Sequence, residues 1–314
     1  MRYGFGIDIG GTTVKLAFLD ENGTMMDKWE IPTRKEEGGK HILPDIAASV
    51  KEYMAKNSLT NEQIIGIGCG VPGPISDAGI VNKCVNLGWG RVDLHTELSA
   101  LTGLNVKGGN DANVAALGEC WRGGGQGASD LIMATLGTGV GGGIIVGGRI
   151  VAGFNGAGGE IGHLTVNTEE TESCGCGKFG CVEQYCSATG VVRMTRRYLA
   201  AHDTPSVLRD MNYECKDVFA AAAKGDEAAK AVLEQVFEIM GRFLANIACV
   251  TDPQIIVLGG GVSKAGQPLI DGVTKYYQKY AFHACRDTRI TLATLGNDAG
   301  AYGAFKLALD AFGA

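Results

Sequence analysis

Two stretches, DIGGTT at 8–13 and LGTGVGGG at 136–143, each follow an apolar run of strand length and each lead into another. A glycine-threonine turn between two strands, used twice in one chain, restricts the fold to something built from a repeated unit. The first copy reads clearly. Tyr3–Ile9 and Val14–Asp20 are strands, the Asn-Gly of Glu21–Thr24 is a hairpin signal, and Met25–Ile31 is a third strand. Ile42, Ile46, Val50 and Met54 then recur at the spacing of an amphipathic helix, and a short buried strand, Ile64–Cys69, stops at GVPGP. The second copy is weaker. Leu131–Leu136 is a strand, GTGVGGG a turn, Ile144–Val146 a strand, and Arg149–Ala152 follows a Gly-Gly turn. A helical run from Asp226 to Val250 precedes the strand Ile255–Leu258, and the helix Ala299–Phe312 is expected to pack back on the first lobe. Strand–strand–strand–helix–strand used twice predicts an α/β fold of two similar lobes with a cleft between them. A chain of 314 residues is long enough for both. The stretch 200–216 gives mixed signals.

Glycine numbers 49 of 314, about twice the usual share of roughly 7%. With only seven prolines and no period, these glycines belong to turns and ligand loops. The formal net charge of −6 leaves no footprint for nucleic acid or acidic lipid. No apolar run suits a signal peptide or a membrane span, so a cytoplasmic protein with reduced thiols is expected. Seven of the ten cysteines (69, 84, 120, 186, 215, 249 and 285) are scattered and read as small buried hydrophobes.

Glycines let successive backbone N–H groups converge on an anion, and threonine hydroxyls add donors. Gly10, Gly11, Thr12 and Thr13 form one such turn, and Gly137, Thr138 and Gly139 another. LGGGVS, with Gly259, Gly260 and Gly261, follows a strand and leads into a helix, a third place suited to phosphate. Each turn alone would be a plain hairpin. Three at strand ends, two of them matched, point to a nucleotide. None has a P-loop lysine or the dinucleotide fingerprint. Asp8 beside the first turn could hold Mg²⁺ through water, or simply cap the turn.

NDAN at 110–113 lies between a strand, Asn105–Lys107, and a helix starting near Ala112. Asp111 is then either the helix N-cap or a base that accepts a hydroxyl proton. In CGCGKFGC at 174–181, Cys174, Cys176 and Cys181 are joined by His163 of GGEIGH, with ten residues between it and Cys174. His-x10-Cys-x-Cys-x4-Cys is a closed tetrahedral set for structural Zn²⁺. A disulfide would leave one cysteine over and suits the wrong compartment. Glu160 and Glu183 flank the motif.

DIGGTT, GVPGP, NDAN, LGTGVGGG, GGEIGH, CGCGKFGCVE and LGGGVS together resemble the ROK family of repressors, open reading frames and sugar kinases. CGCGKFGCVEQYCSATGVVR is similar in particular to the family's bacterial ATP-dependent glucokinases. The resemblance implies an actin-like, hexokinase-type (ribonuclease H-like) fold, with a small lobe of 1–110 plus 299–314 and a large lobe of 111–298 carrying the zinc loop 163–181. It implies ATP, Mg²⁺ and Zn²⁺ as cofactors, glucose as substrate, and a homodimer, with a tetramer as the alternative. By resemblance Asp111 is the base on the sugar 6-hydroxyl. Asn86, Asn110, Glu160, His163 and Glu183 hold the hexose. Asp8, Gly10, Gly11, Thr12, Gly137, Thr138 and Gly139 form the phosphate and metal loops, and Gly259, Gly260 and Gly261 the adenosine loop.

The expected function is an ATP-dependent glucokinase. Kinases for N-acetylmannosamine, fructose or allose are the alternatives within the family. A sugar-sensing regulator is a further one, disfavoured because the first strand begins at Tyr3 and leaves no room for a DNA-binding helix-turn-helix. A zinc-ribbon module would explain only a small part of the chain.

Overall fold

The computed structural model describes residues 1–313 of the chain. Twelve strands run in order: β1 (Tyr3–Ile9), β2 (Thr13–Asp20), β3 (Met25–Pro32), β4 (Ile64–Val71), β5 (Ile80–Val81), β6 (Val92–Asp93), β7 (Val106–Asn110), β8 (Leu131–Leu136), β9 (Val140–Val146), β10 (Arg149–Ile150), β11 (Ile255–Gly259) and β12 (Arg289–Leu292). Ten of them make two five-stranded sheets, ordered β3-β2-β1-β4-β7 and β10-β9-β8-β11-β12. In each, one side is an antiparallel meander and the other is parallel. β1 pairs antiparallel with β2 and parallel with β4, and β8 pairs parallel with β11. The repeated unit read from the sequence is therefore present as a repeated sheet.

Residues Met1–Ser129, Gly143–Gly159 and Thr294 onward form one compact unit. Asp130–Gly142 and Glu160–Ala293 form the other. The division differs from the expected one at 110/111, because the helix Asp111–Arg122 stays with the first unit. Small residues explain this. A Cβ on Gly303 would lie 1.7 Å from Val114 O, and one on Gly118 would lie 2.2 Å from Ala299 O. The helix Asp111–Arg122 and the helix Ala299–Phe312 thus meet backbone to backbone and cannot be assigned apart.

The first sheet's two faces follow from alternation along its strands. In β1, Phe5, Ile7 and Ile9 are fully buried against one face, with Ile42, Ile46, Val50 and Met54 of the helix Ile42–Lys56 packed there. On the other face, Gly6 and Gly68 leave room for the helix Ala299–Phe312. A Cβ on Gly68 would sit 1.6 Å from Ala304 O. Phe305 and Ala301 close that side with Leu19 and Ile65.

Three local expectations change. β9 starts at Val140, so the second turn shrinks to Gly137–Gly139, and the glycines after it pair in a strand. The uncertain stretch 200–216 contains a single 3₁₀ turn, Val207–Asp210, and the start of the helix Cys215–Ala223. Cys249 is exposed; the other six scattered cysteines are buried.

Candidate functional site

In the first unit, parallel registration brings the functional residues to one edge of the sheet. Asp8 pairs with Gly70 across β1 and β4, and Gly70 with Gly109, so the carboxyl ends of β1, β4 and β7 finish together. Ligands of open α/β sheets bind at that edge. Gly70 lies between two acids: a Cβ on it would be 3.7 Å from Asp111 Cα and 3.8 Å from Asp8 Oδ1. Gly10 N–H donates to Thr13 O at 3.0 Å, closing the first turn. Thr33 N–H donates to Thr12 O at 2.9 Å, and Thr33 Oγ1 to Gly10 O at 2.7 Å. Asn86 lies beside this turn, with its carbonyl 3.3 Å from where a Gly11 Cβ would be. Burial raises the Asp8 pKa, and Lys15, 3.9 Å away, offsets this only partly. A divalent cation on that carboxylate would relieve the same cost.

The N-cap of the helix Asp111–Arg122 is Asn110, not Asp111. Asn110 Oδ1 accepts from Ala112 N–H at 3.1 Å and Asn113 N–H at 3.2 Å. Its Nδ2 donates to Gly73 O at 3.3 Å, in GVPGP. Asp111 is the first helical residue, and its Oδ1 accepts from Ala112 N–H at 2.8 Å.

In the second unit, Gly259 pairs with Thr135 across the parallel strands β11 and β8, so both glycine loops leave the same edge. Gly260 has φ +82, and a Cβ there would be 2.6 Å from Leu136 O, so only glycine lets the two loops touch. Beside them is a cavity of about 860 Å³, lined by Thr138, Thr189, Arg196, Tyr213, Phe219 and Gly261 among others. That volume is in the range of a cofactor-sized pocket. Tyr213 and Phe219 were invisible as site residues in the sequence because they come from the stretch with mixed signals and the helix after it.

The metal candidates converge. One ligand atom from each of His163, Cys174, Cys176 and Cys181 lies within 4.8 Å of all the others. His163 Nδ1 is 3.8 Å from Cys174 Sγ, and Cys176 Sγ is 3.7 Å from Cys181 Sγ. A tetrahedron with metal–sulfur bonds of about 2.3 Å has edges of about 3.8 Å. The sulfurs are too far apart for a disulfide. Burial pushes the Cys181 thiol up to about 12, a cost that a bound cation would reverse. The four residues fit Zn²⁺.

Glu183 joins this loop to the second turn. Its Oε1 accepts from Cys174 Sγ at 3.4 Å, and its Oε2 accepts from Val140 N–H at 3.0 Å. A Cβ on Gly139 would lie 2.2 Å from that Oε2. Glu160 is exposed, and its carbonyl accepts from His163 N–H at 3.2 Å.

Among known proteins, the chain is 43% identical over 308 residues to a glucokinase of Halalkalibacterium halodurans, covering 96% of this chain and 93% of that one. A crystal structure of a ROK family glucokinase from Streptomyces griseus, in complex with glucose and AMPPNP, is 32% identical, with a TM-score of 0.73 over 98% of this chain and 99% of that one. The ROK hexokinase of Thermus thermophilus is 30% identical, with a TM-score of 0.80 over 96% of each chain. Residues 4–311 match the ROK family as a whole, and the chain belongs to it.

Proposed function

We infer that this chain is an ATP-dependent glucokinase, transferring the γ-phosphoryl group of ATP to the 6-hydroxyl of D-glucose. The observation that carries the reading is the place of Glu183, whose Oε2 accepts from Val140 N–H just after the Gly137–Gly139 turn and whose Oε1 lies 3.4 Å from Cys174 Sγ of the metal loop. Sugar-holding and phosphate-holding residues are thus neighbours. The 43% identical glucokinase supports the reaction.

Asp111 takes the proton from the 6-hydroxyl as that oxygen attacks phosphorus, and ADP leaves from the opposite side. Asn86, Asn110, Glu160, His163 and Glu183 are the residues proposed to hold sugar hydroxyls. The amides of Gly10–Thr13 and Gly137–Gly139 stabilise charge on the transferring group. Gly259–Gly261 and the 860 Å³ cavity receive the adenosine. Asp8 would hold Mg²⁺, which neutralises the phosphates. Zn²⁺ on His163, Cys174, Cys176 and Cys181 would be structural, fixing the loop. With Nδ1, which lies 3.8 Å from Cys174 Sγ, on the metal, His163 Nε2 would carry the proton and donate to a sugar hydroxyl. The proposed working form is a cytoplasmic homodimer.

A coupled kinase assay across hexoses with ATP and Mg²⁺ tests this. Glucose is expected to show the highest kcat/KM. N-acetylmannosamine, fructose or allose exceeding it tenfold would overturn glucose while leaving a hexose kinase.

A further inference from the structure

Between His163 and Cys174 the sequence TEETES reads as a solvated acidic run, yet Glu170 has a side chain only 2% exposed. Its Oε1 accepts the N–H groups of Thr171 and Glu172, both at 3.0 Å, and Arg197 Nη2 at 2.9 Å. Its Oε2 accepts the Tyr185 hydroxyl at 2.6 Å and Arg197 Nη1 at 2.8 Å. Arg193 Nη2 lies 2.6 Å from the same oxygen, close enough to pair in charge though poorly aligned as a hydrogen bond. One buried carboxylate therefore gathers two guanidinium groups from one helix.

The rest of the network extends in both directions. Towards the metal loop, Arg193 Nη1 donates to Gln184 O at 3.2 Å, and Gln184 Oε1 accepts from Cys181 N–H at 3.1 Å. In the other direction lies the helix Ala188–Ala201, which carries both arginines. Its residues Ala188, Thr189, Val192, Arg193 and Arg196 line the 860 Å³ cavity. Its first turn is tied to the phosphate turn: Ala188 N–H donates to Gly137 O at 2.8 Å, and Thr189 Oγ1 to Thr138 O at 2.7 Å.

We propose that Glu170 is a positioning residue for ATP: by clamping Arg193 and Arg197 it fixes the helix Ala188–Ala201, and through that helix one cavity wall and the Gly137–Gly139 turn. This rests on reading the cavity as the adenosine site. Glu172 also pairs with Arg193 Nε at 2.9 Å and Arg197 Nη2 at 3.0 Å, but from an exposed position. Losing the Glu170 charge therefore leaves both guanidinium groups on one solvated carboxylate, and the helix loses its buried anchor and shifts. The shift falls on the nucleotide side, because the helix Ala188–Ala201 itself lines the cavity, whereas His163 is secured with the other candidate metal ligands.

The test uses the full-length, metal-loaded protein. Glu170→Gln is expected to raise KM for ATP at least fivefold and to weaken AMP-PNP binding in calorimetry by a similar factor. KM for glucose should stay within twofold and zinc content should match wild type. Arg197→Lys keeps the charge but loses the two-pronged contact, so a smaller shift of the same kind is expected even if Glu170→Gln does not fold. Gly261→Trp provides the control on the cavity, since a Cβ there meets nothing within 4 Å, and it should abolish nucleotide binding. If Gly261→Trp blocks the nucleotide but the clamp variants weaken glucose and ATP equally, or neither, the clamp is overturned and the cavity stands. If Gly261→Trp leaves nucleotide binding intact, the adenosine reading itself fails, and the proposal with it.

Discussion

The two glycine-threonine turns look alike in sequence but are supported differently. The first is closed by its own sheet: Gly10 bonds to Thr13, and Thr33 of the chain just beyond β3 bonds back to Thr12 and Gly10, at most 23 residues away. The second has one internal bond, Gly137 N–H to Gly139 O at 2.9 Å. Its other supports are Glu183, Ala188 and Thr189, which lie 43, 51 and 51 residues from their partners Val140, Gly137 and Thr138. One turn is thus set locally, while the other inherits its shape from the metal loop and the helix Ala188–Ala201. Damage to the first should stay local; damage to the second should come from far along the chain.

The largest expected effect lies on the first sheet's side. Asp111→Asn keeps shape but cannot accept the proton, so kcat should fall by roughly 10² to 10⁴, with glucose affinity within a few-fold by calorimetry. The helix keeps its cap, because Asn110 supplies it, so thermal stability should hardly move. A variant retaining a tenth of wild-type kcat would reduce Asp111 to a helix residue and remove the chemical distinction between the two sides.

Next comes the metal loop. Wild-type protein is expected to carry one zinc per chain by elemental analysis. Cys176→Ser should lose metal and weaken glucose binding about tenfold, the scale seen when metal-site support is removed, and AMP-PNP binding by less. The freed imidazole of His163 can rotate, and Glu183 loses its neighbour Cys174. The Glu170 cluster, which faces the helix, remains. Unchanged glucose affinity in a folded, zinc-free variant would mean that the loop only fastens the chain, and that the second turn does not depend on it.

The sequence displayed elements whose cause is local. β1, β8 and the last helix are where alternation and periodicity put them. The meeting of His163 with Cys174, Cys176 and Cys181 was also legible, since the glycines and cysteines of that loop sit within a few residues of one another. What was not legible depends on distant partners. Val140–Gly143 looked like turn because it is glycine-rich, but it forms the start of β9, with Gly143 set against Asn113 and Ala116 of the helix Asp111–Arg122. Nothing in the sequence marks Glu170 as buried, because its arginines are 23 and 27 residues further on. The cavity lining is spread over separate stretches, from Thr138 to Ala265. The division into compact units was not legible because it depends on Gly118 and Gly303, which no local pattern marks as a helix contact.

The smallest expected effect separates the turns most directly, by the same change in each. A Cβ on Gly10 would lie 2.7 Å from the backbone carbonyl of Thr13, which is held in the sheet and cannot easily retreat. Gly10→Ala should therefore strain the turn and cost stability, about 1–3 kcal/mol by analogy with other overpacked sites, read as a lowered Tm. On Gly139 the nearest atom is Glu183 Oε2, the end of a side chain, at 2.2 Å. Gly139→Ala can be accommodated by swinging that carboxylate away, at the loss of its bond to Val140 N–H. Its Tm should change less than that of Gly10→Ala, while KM for glucose should rise several-fold because Glu183 has left its place. Equal Tm losses with unchanged glucose KM in both variants would show that the second turn is as self-contained as the first. A Glu183→Ala change added to Gly139→Ala sharpens the point: with the carboxylate gone the alanine methyl has room, so adding Gly139→Ala to Glu183→Ala should produce little further loss, whereas two independent sites would add.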